Sequence, residues 1–248
     1  MTNEETLNKM RKMRLHGMVE NYLKQVDMPG YETLDFDERL GLMVDAEYQK
    51  KQQSRIDRLL RNARFTLSSA SIEAIDYRVD RKLDRSLILK LATGNYLAHA
   101  HNIIINGATG AGKSYLAQAL GTSACRQGAT VYYFRLHDLL EELMLAKSEG
   151  VREYIKRRKI YERCTLLIID EWLTFPIQED ETEILLSLID RRTNHCSTIV
   201  ASQYAPAEWL EQIPNAVAAE AITDRLTAGA CQIVIQGKKS MRASDLNL

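Results

Sequence analysis

The chain has 248 residues, with 33 basic and 33 acidic side chains and a formal net charge of zero. A hydrophobic fraction of 45% and a charged fraction of 27% are ordinary for a soluble globular protein. Bulk charge therefore points to no particular partner, and any nucleic-acid surface has to come from local clustering of basic residues.

Residues 1 to 64 read as a helical N-terminal domain. Leu7, Met10, Met13, Met18 and Tyr22 recur at approximately helical spacing, and Met28-Pro29-Gly30 breaks the pattern. Asp35 followed by Glu38 resembles a capping box, so a second helix is expected from about Asp37 to Arg64. Its C-terminal half carries Lys50, Lys51, Arg55, Arg58, Arg61 and Arg64 against one acid in that stretch, Asp57. Such a run is either a solvated helix face or a phosphate-contacting surface, and charge alone does not choose.

From residue 65 to 248 the texture changes. Short runs rich in Ile, Val, Leu and aromatics occupy 102–106, 130–134, 165–170, 197–201 and 231–236, as buried parallel strands do. Helical segments are expected over 113–125, 138–147, 151–163, 179–192 and 215–227. This alternation predicts an α/β domain with a five-stranded, mostly parallel sheet.

Cys125, Cys164, Cys196 and Cys231 show neither CxxC nor zinc-finger spacing, and they read as small buried residues in a reducing compartment. No apolar run reaches the roughly 18 residues a membrane span needs, and no signal-peptide core opens the chain. A cytoplasmic location is expected.

Gly107-Ala108-Thr109-Gly110-Ala111-Gly112-Lys113-Ser114 satisfies GxxxxGK[ST] between an expected strand and an expected helix. Glycines let the backbone curl until several N–H groups point at one anion, and the helix N-terminus adds partial positive charge. Lys113 is expected to reach the β- and γ-phosphates, and the Ser114 hydroxyl to ligate magnesium. The apolar run 166–169 ends in Asp170-Glu171. The expectation places Asp170 near the magnesium and lets Glu171 position or deprotonate the attacking water. Gln203, just after the fourth strand, is the choice for reading the γ-phosphate, with Ser202 as the alternative. Arg225 is either ion-paired to Asp224 or Glu220, or simply a charged helix terminus, or delivered across a subunit interface to the transferring phosphoryl group.

The phosphate loop, the acidic pair, the Ser-Gln strand end and Thr223-Asp224-Arg225-Leu226 together resemble the IstB-like branch of AAA+ ATPases. That branch includes transposition helpers and is related to DnaC-type helicase loaders. The resemblance runs from about Leu34 to Met241, and Leu83-Asp84-Arg85 with Leu91 to Leu97 is the part most like the helpers. It implies an ATP- and magnesium-dependent, DNA-stimulated ATPase that forms homo-oligomers on duplex DNA and assists a transposase. A helicase loader is the alternative. The resemblance also implies that Arg225 acts in trans and that Lys50 to Arg64 helps grip DNA, with Arg157 and Arg158 as secondary DNA contacts. Barely a dozen residues follow Gln236, so the usual helical lid is not expected, and Arg242 is a loose substitute for the lid's sensor arginine.

Overall fold

The computed structural model describes residues 3–77 and 81–236, so Arg242 lies outside the described residues. The chain divides into two compact units, Met1–Arg58 and Leu59–Leu248.

The first unit contains α1 (Asn3–Lys12), α2 (His16–Asp27) and most of α3 (Phe36–Asn62). The helix break falls at Met28-Pro29-Gly30 as expected, with Gly30 at φ 110°. The start of α3 is closed by a reciprocal pair of bonds: the Glu38 amide donates to Asp35 Oδ1 at 2.8 Å, and the Asp35 amide donates to Glu38 Oε2 at 3.0 Å. No neighbouring side chain caps α2. The buried Glu47 carboxylate of α3 does so instead, accepting from the amides of Gly17 at 2.6 Å and Met18 at 3.2 Å. An anion there satisfies orphan donors and complements the helix dipole. The approach requires glycine, because a Cβ on Gly17 would lie 2.6 Å from the Ala46 carbonyl oxygen.

The second unit is built on β1 (Ile103–Gly107), β2 (Val131–Arg135), β3 (Leu166–Asp170), β4 (Ser197–Ser202) and β5 (Cys231–Ile235). All pairings are parallel, in the order β2-β3-β4-β1-β5. Parallel strands are buried on both faces, and alternate residues of each strand go to opposite layers. Ile103, Ile105, Ile168 and Ile199 pack with Leu116, Ala117 and Leu120 of α6 (Lys113–Arg126). Ile104, Leu167, Ile169 and Val200 pack with α7 (Leu136–Glu149) and α9 (Glu179–Arg192), joined by Trp172 and Trp209. α8 (Val151–Arg163) follows α7, and α10 (Ala216–Thr227) precedes β5.

The strands and these helices coincide closely with expectation. α7 starts two residues early because buried Leu136 continues directly from β2. Two short helices had no counterpart in the sequence reading, α4 (Arg85–Ala92) and α5 (Asn95–Ala98). Asp84 caps α4, accepting from the amides of Ser86 and Leu87. All four cysteines are free thiols, but Cys196 and Cys231 are half-buried rather than buried, because they sit where their strands begin. No helix among the described residues is long and apolar enough to cross a membrane.

Candidate functional site

The strand order sets β4 between β1 and β3. The C-terminal ends of these three strands therefore lie side by side, which brings the turn after β1, Gln203 and Asp170-Glu171 to one sheet edge. They line a cavity of about 660 Å³ together with Ser114, Tyr133 and Arg135.

The loop after β1 has the backbone its glycines permit. Gly110 and Gly112 adopt φ 79° and 93°, in the left-handed region. A Cβ on Gly107 would lie 2.6 Å from the Ile235 carbonyl oxygen, so β5 admits only glycine there. The Lys113 ammonium folds over the loop and donates to the carbonyls of Gly107 at 2.8 Å and Ala108 at 3.0 Å. Arg81 braces the loop from outside, donating to the Ala111 carbonyl at 2.8 Å and the Asp76 carbonyl at 2.7 Å.

Asp170 ends β3 and is 3% exposed. Its Oδ2 accepts from the Tyr133 hydroxyl and its Oδ1 from the Glu171 amide, both at 2.8 Å. Burial first, and then the adjacent Asp170 charge, push the Tyr133 phenol far above its usual range, so it stays a proton donor. Glu171 adopts φ 51°, and its half-exposed carboxylate stands 3.5 Å from Arg135 Nε. The two adjacent carboxylates thus have opposite environments, one fixed and buried, the other at the cavity wall.

Of the two residues considered after β4, Gln203 lines the cavity and accepts from the Thr109 hydroxyl at 3.3 Å. Ser202 is buried and fully engaged: its hydroxyl donates to the Trp172 carbonyl and accepts from the Tyr204 amide and Trp209 Nε1.

Arg225 does not line this cavity. Its Nε donates to Asp190 Oδ1 of α9 at 2.9 Å. The acids named from sequence, Asp224 and Glu220, are not its partner there, because α9 packs beside α10 and supplies a closer carboxylate. The basic run is likewise less isolated than its local sequence suggests. Lys50 pairs with Glu20, Lys51 with Glu47 at 3.4 Å, and Arg64 with Glu142 at 2.6 Å. Arg157 shares Glu142 at 2.9 Å, and half-buried Arg158 pairs with Glu162 at 2.6 Å. Arg55, Arg58 and Arg61 are exposed.

Sequence reasoning missed Arg81, Tyr133 and Arg135. Tyr133 sits in Tyr132-Tyr133-Phe134, which reads as an apolar strand, and only the β2–β3 pairing brings its hydroxyl to Asp170.

The family model described as "IstB-like ATP binding protein" matches residues 8–247. A Pseudomonas fluorescens protein named for ATP binding and insertion sequence IS1162 is 37% identical over 203 residues, 82% of this chain and 87% of its own length. The Sinorhizobium fredii protein y4pL, also named for an insertion sequence and ATP binding, is 35% identical over 237 residues, 96% of each chain. Among solved structures, the DnaC helicase loader matches with a TM-score of 0.60 and 18% identity, over 68% of this chain and 98% of that one. AMPPCP-bound DnaA from Aquifex aeolicus matches with a TM-score of 0.58 and 20% identity, over 71% and 52%. At such identities the two structures speak to the fold.

Proposed function

The chain belongs to the IstB-like ATP-binding protein family, with an AAA+ core, and from that premise we propose that it is an ATP-dependent helper of DNA transposition. The observation that carries the reading is the single cavity shared by the phosphate loop, Asp170, Glu171 and Gln203.

ATP and magnesium fit the residues present. Gly110 and Gly112 hold the left-handed backbone that a phosphate-cradling loop needs. Ser114 and Asp170 both line the cavity, and magnesium is commonly held by one or two carboxylates together with substrate phosphates. When bound, magnesium supplies positive charge that stabilises phosphoryl transfer. Lys113 exchanges its bonds to the Gly107 and Ala108 carbonyls for phosphate oxygens. Glu171 orients the attacking water and accepts its proton, and Gln203 reads the γ-phosphate.

In the same reading Arg225 leaves Asp190 to reach the nucleotide of a neighbouring subunit in a homo-oligomer. Residues 1–64 serve DNA and oligomer contacts, and 65–248 form the ATPase. Arg55, Arg58 and Arg61 are the most available cations for duplex DNA, whereas Lys50, Lys51, Arg64, Arg157 and Arg158 have to exchange an acid for a phosphate. A transposase is the expected protein partner. The insertion-sequence names of the relatives favour this over a helicase loader, since the DnaC likeness concerns the fold.

Glu171→Gln tests the reading. It is expected to keep ATP binding, to slow DNA-stimulated phosphate release by roughly 100-fold or more, and to accumulate ATP-bound protein on duplex DNA. Wild-type rates in the variant, or no response of the wild type to DNA, would contradict it.

A further inference from the structure

The five residues that follow α3 are fastened one after another to β2, α6 and α7, the elements next to the nucleotide cavity. The Ala63 carbonyl accepts from the Tyr133 amide of β2 at 2.8 Å. Arg64 adopts φ 63°, pairs with Glu142, and stacks over the Phe134 ring at 4.9 Å. The left-handed region is unfavourable for arginine, so these contacts hold a turn that the chain does not favour on its own. The Phe65 ring lies against Gly121 of α6, where a Cβ would meet it at 2.8 Å. The amides of Thr66 and Leu67 both donate to Gln118 Oε1 of α6, at 2.8 and 2.9 Å. Gln118 is fully buried, and its Nε2 donates back to the Thr66 hydroxyl at 3.1 Å.

Two separate paths therefore close on this segment. One runs from the phosphate loop along α6 to Gln118 and residues 66–67. The other runs from Asp170 to the Tyr133 hydroxyl, and through the Tyr133 amide to Ala63. Thr66, Leu67, Tyr133 and Asp170 all line the cavity. Hydrogen bonds of this kind transmit displacement, because a donor or acceptor withdrawn from water is costly to leave unmade.

We infer that residues 63–67 are a relay through which the nucleotide site and the basic end of α3 sense each other, with Tyr133 as the positioning residue that joins the relay to Asp170. The inference rests on the nucleotide-binding reading above and adds to it a route. Because coupling is reciprocal, a cation of the α3 end that engages an anion alters nucleotide affinity by the same factor that nucleotide alters anion affinity. Arg61, the last cation of α3, is adjacent to the relay in sequence, and Arg64 lies within it.

Hydrogen–deuterium exchange on the full chain, with and without adenylyl imidodiphosphate and magnesium, tests this. In the wild type, residues 107–114 and 59–67 are both expected to exchange roughly fivefold more slowly, or slower still, with the nucleotide. In Tyr133→Phe, which keeps the buried ring and leaves the path through Gln118 in place, residues 107–114 keep their response and the response at residues 59–67 is reduced. Protection of 107–114 without any change at 59–67 in the wild type overturns the relay and leaves nucleotide binding intact. No change at 107–114 removes the nucleotide-binding reading and the relay with it. An undiminished response at 59–67 in Tyr133→Phe overturns the role given to Tyr133, and the wild-type arm stands whether or not that variant folds.

Discussion

Nine of the fourteen residues of α6 are buried, whereas α3 buries one of twenty-seven, Glu47. α6 follows the phosphate loop and is locked by the core: Gly121 has no room for a Cβ between Ile168 and Phe65. α3 carries the basic run and presents Arg55, Arg58 and Arg61 to solvent. Its one buried side chain serves another helix, by capping α2. In the proposed function the difference separates two ways of handling anions. Phosphate recognition at the loop depends on backbone geometry and needs a rigid support. Contact with a polyanion depends on side-chain charge and needs exposure.

The largest effect on the α3 side is expected from Glu47→Ala. It leaves the Gly17 and Met18 amides without their acceptor, and should destabilise the first unit by roughly 2–3 kcal/mol. Chemical unfolding followed by exchange at residues 16–27 measures this. A loss below about 0.5 kcal/mol would mean that α3 has an anchor other than this carboxylate.

Replacing Arg55, Arg58 and Arg61 together by alanine should have a smaller effect on the fold, within about 0.5 kcal/mol per site, since all three are exposed. It should nevertheless make the dependence of duplex DNA affinity on salt shallower, by about 2 to 3 in the slope of log K against log salt. A titration series across salt concentrations reads that slope. An unchanged slope would move DNA contact away from α3.

The same contrast explains what the sequence made legible. Five strands, the helices flanking them and the phosphate loop follow from local pattern, because buried parallel strands and GxxxxGK[ST] are written in consecutive residues. The capping box at Asp35 and Glu38 is equally local. What escaped depends on pairing between elements distant in sequence. The Tyr133–Asp170 bond spans two strands in parallel register, and Arg225 finds Asp190 across two helices. Glu142 gathers Arg64 from one stretch and Arg157 and Tyr161 from another, α8. A charge run read in one dimension counts only its neighbouring acids, so it overstated how many of these cations stand alone. α4 and α5 escaped because they are short, at eight and four residues, and hydrophobic period is weak at that length.

Calorimetric titration of ATP with magnesium into the wild type and into Lys113→Ala tests the account most directly. The account predicts saturable binding of one nucleotide per chain by the wild type. The variant should bind roughly 10- to 100-fold more weakly, the loss expected for a charged hydrogen-bonding group aimed at phosphate. Equal affinity in the two proteins, or no binding by the wild type, would contradict it.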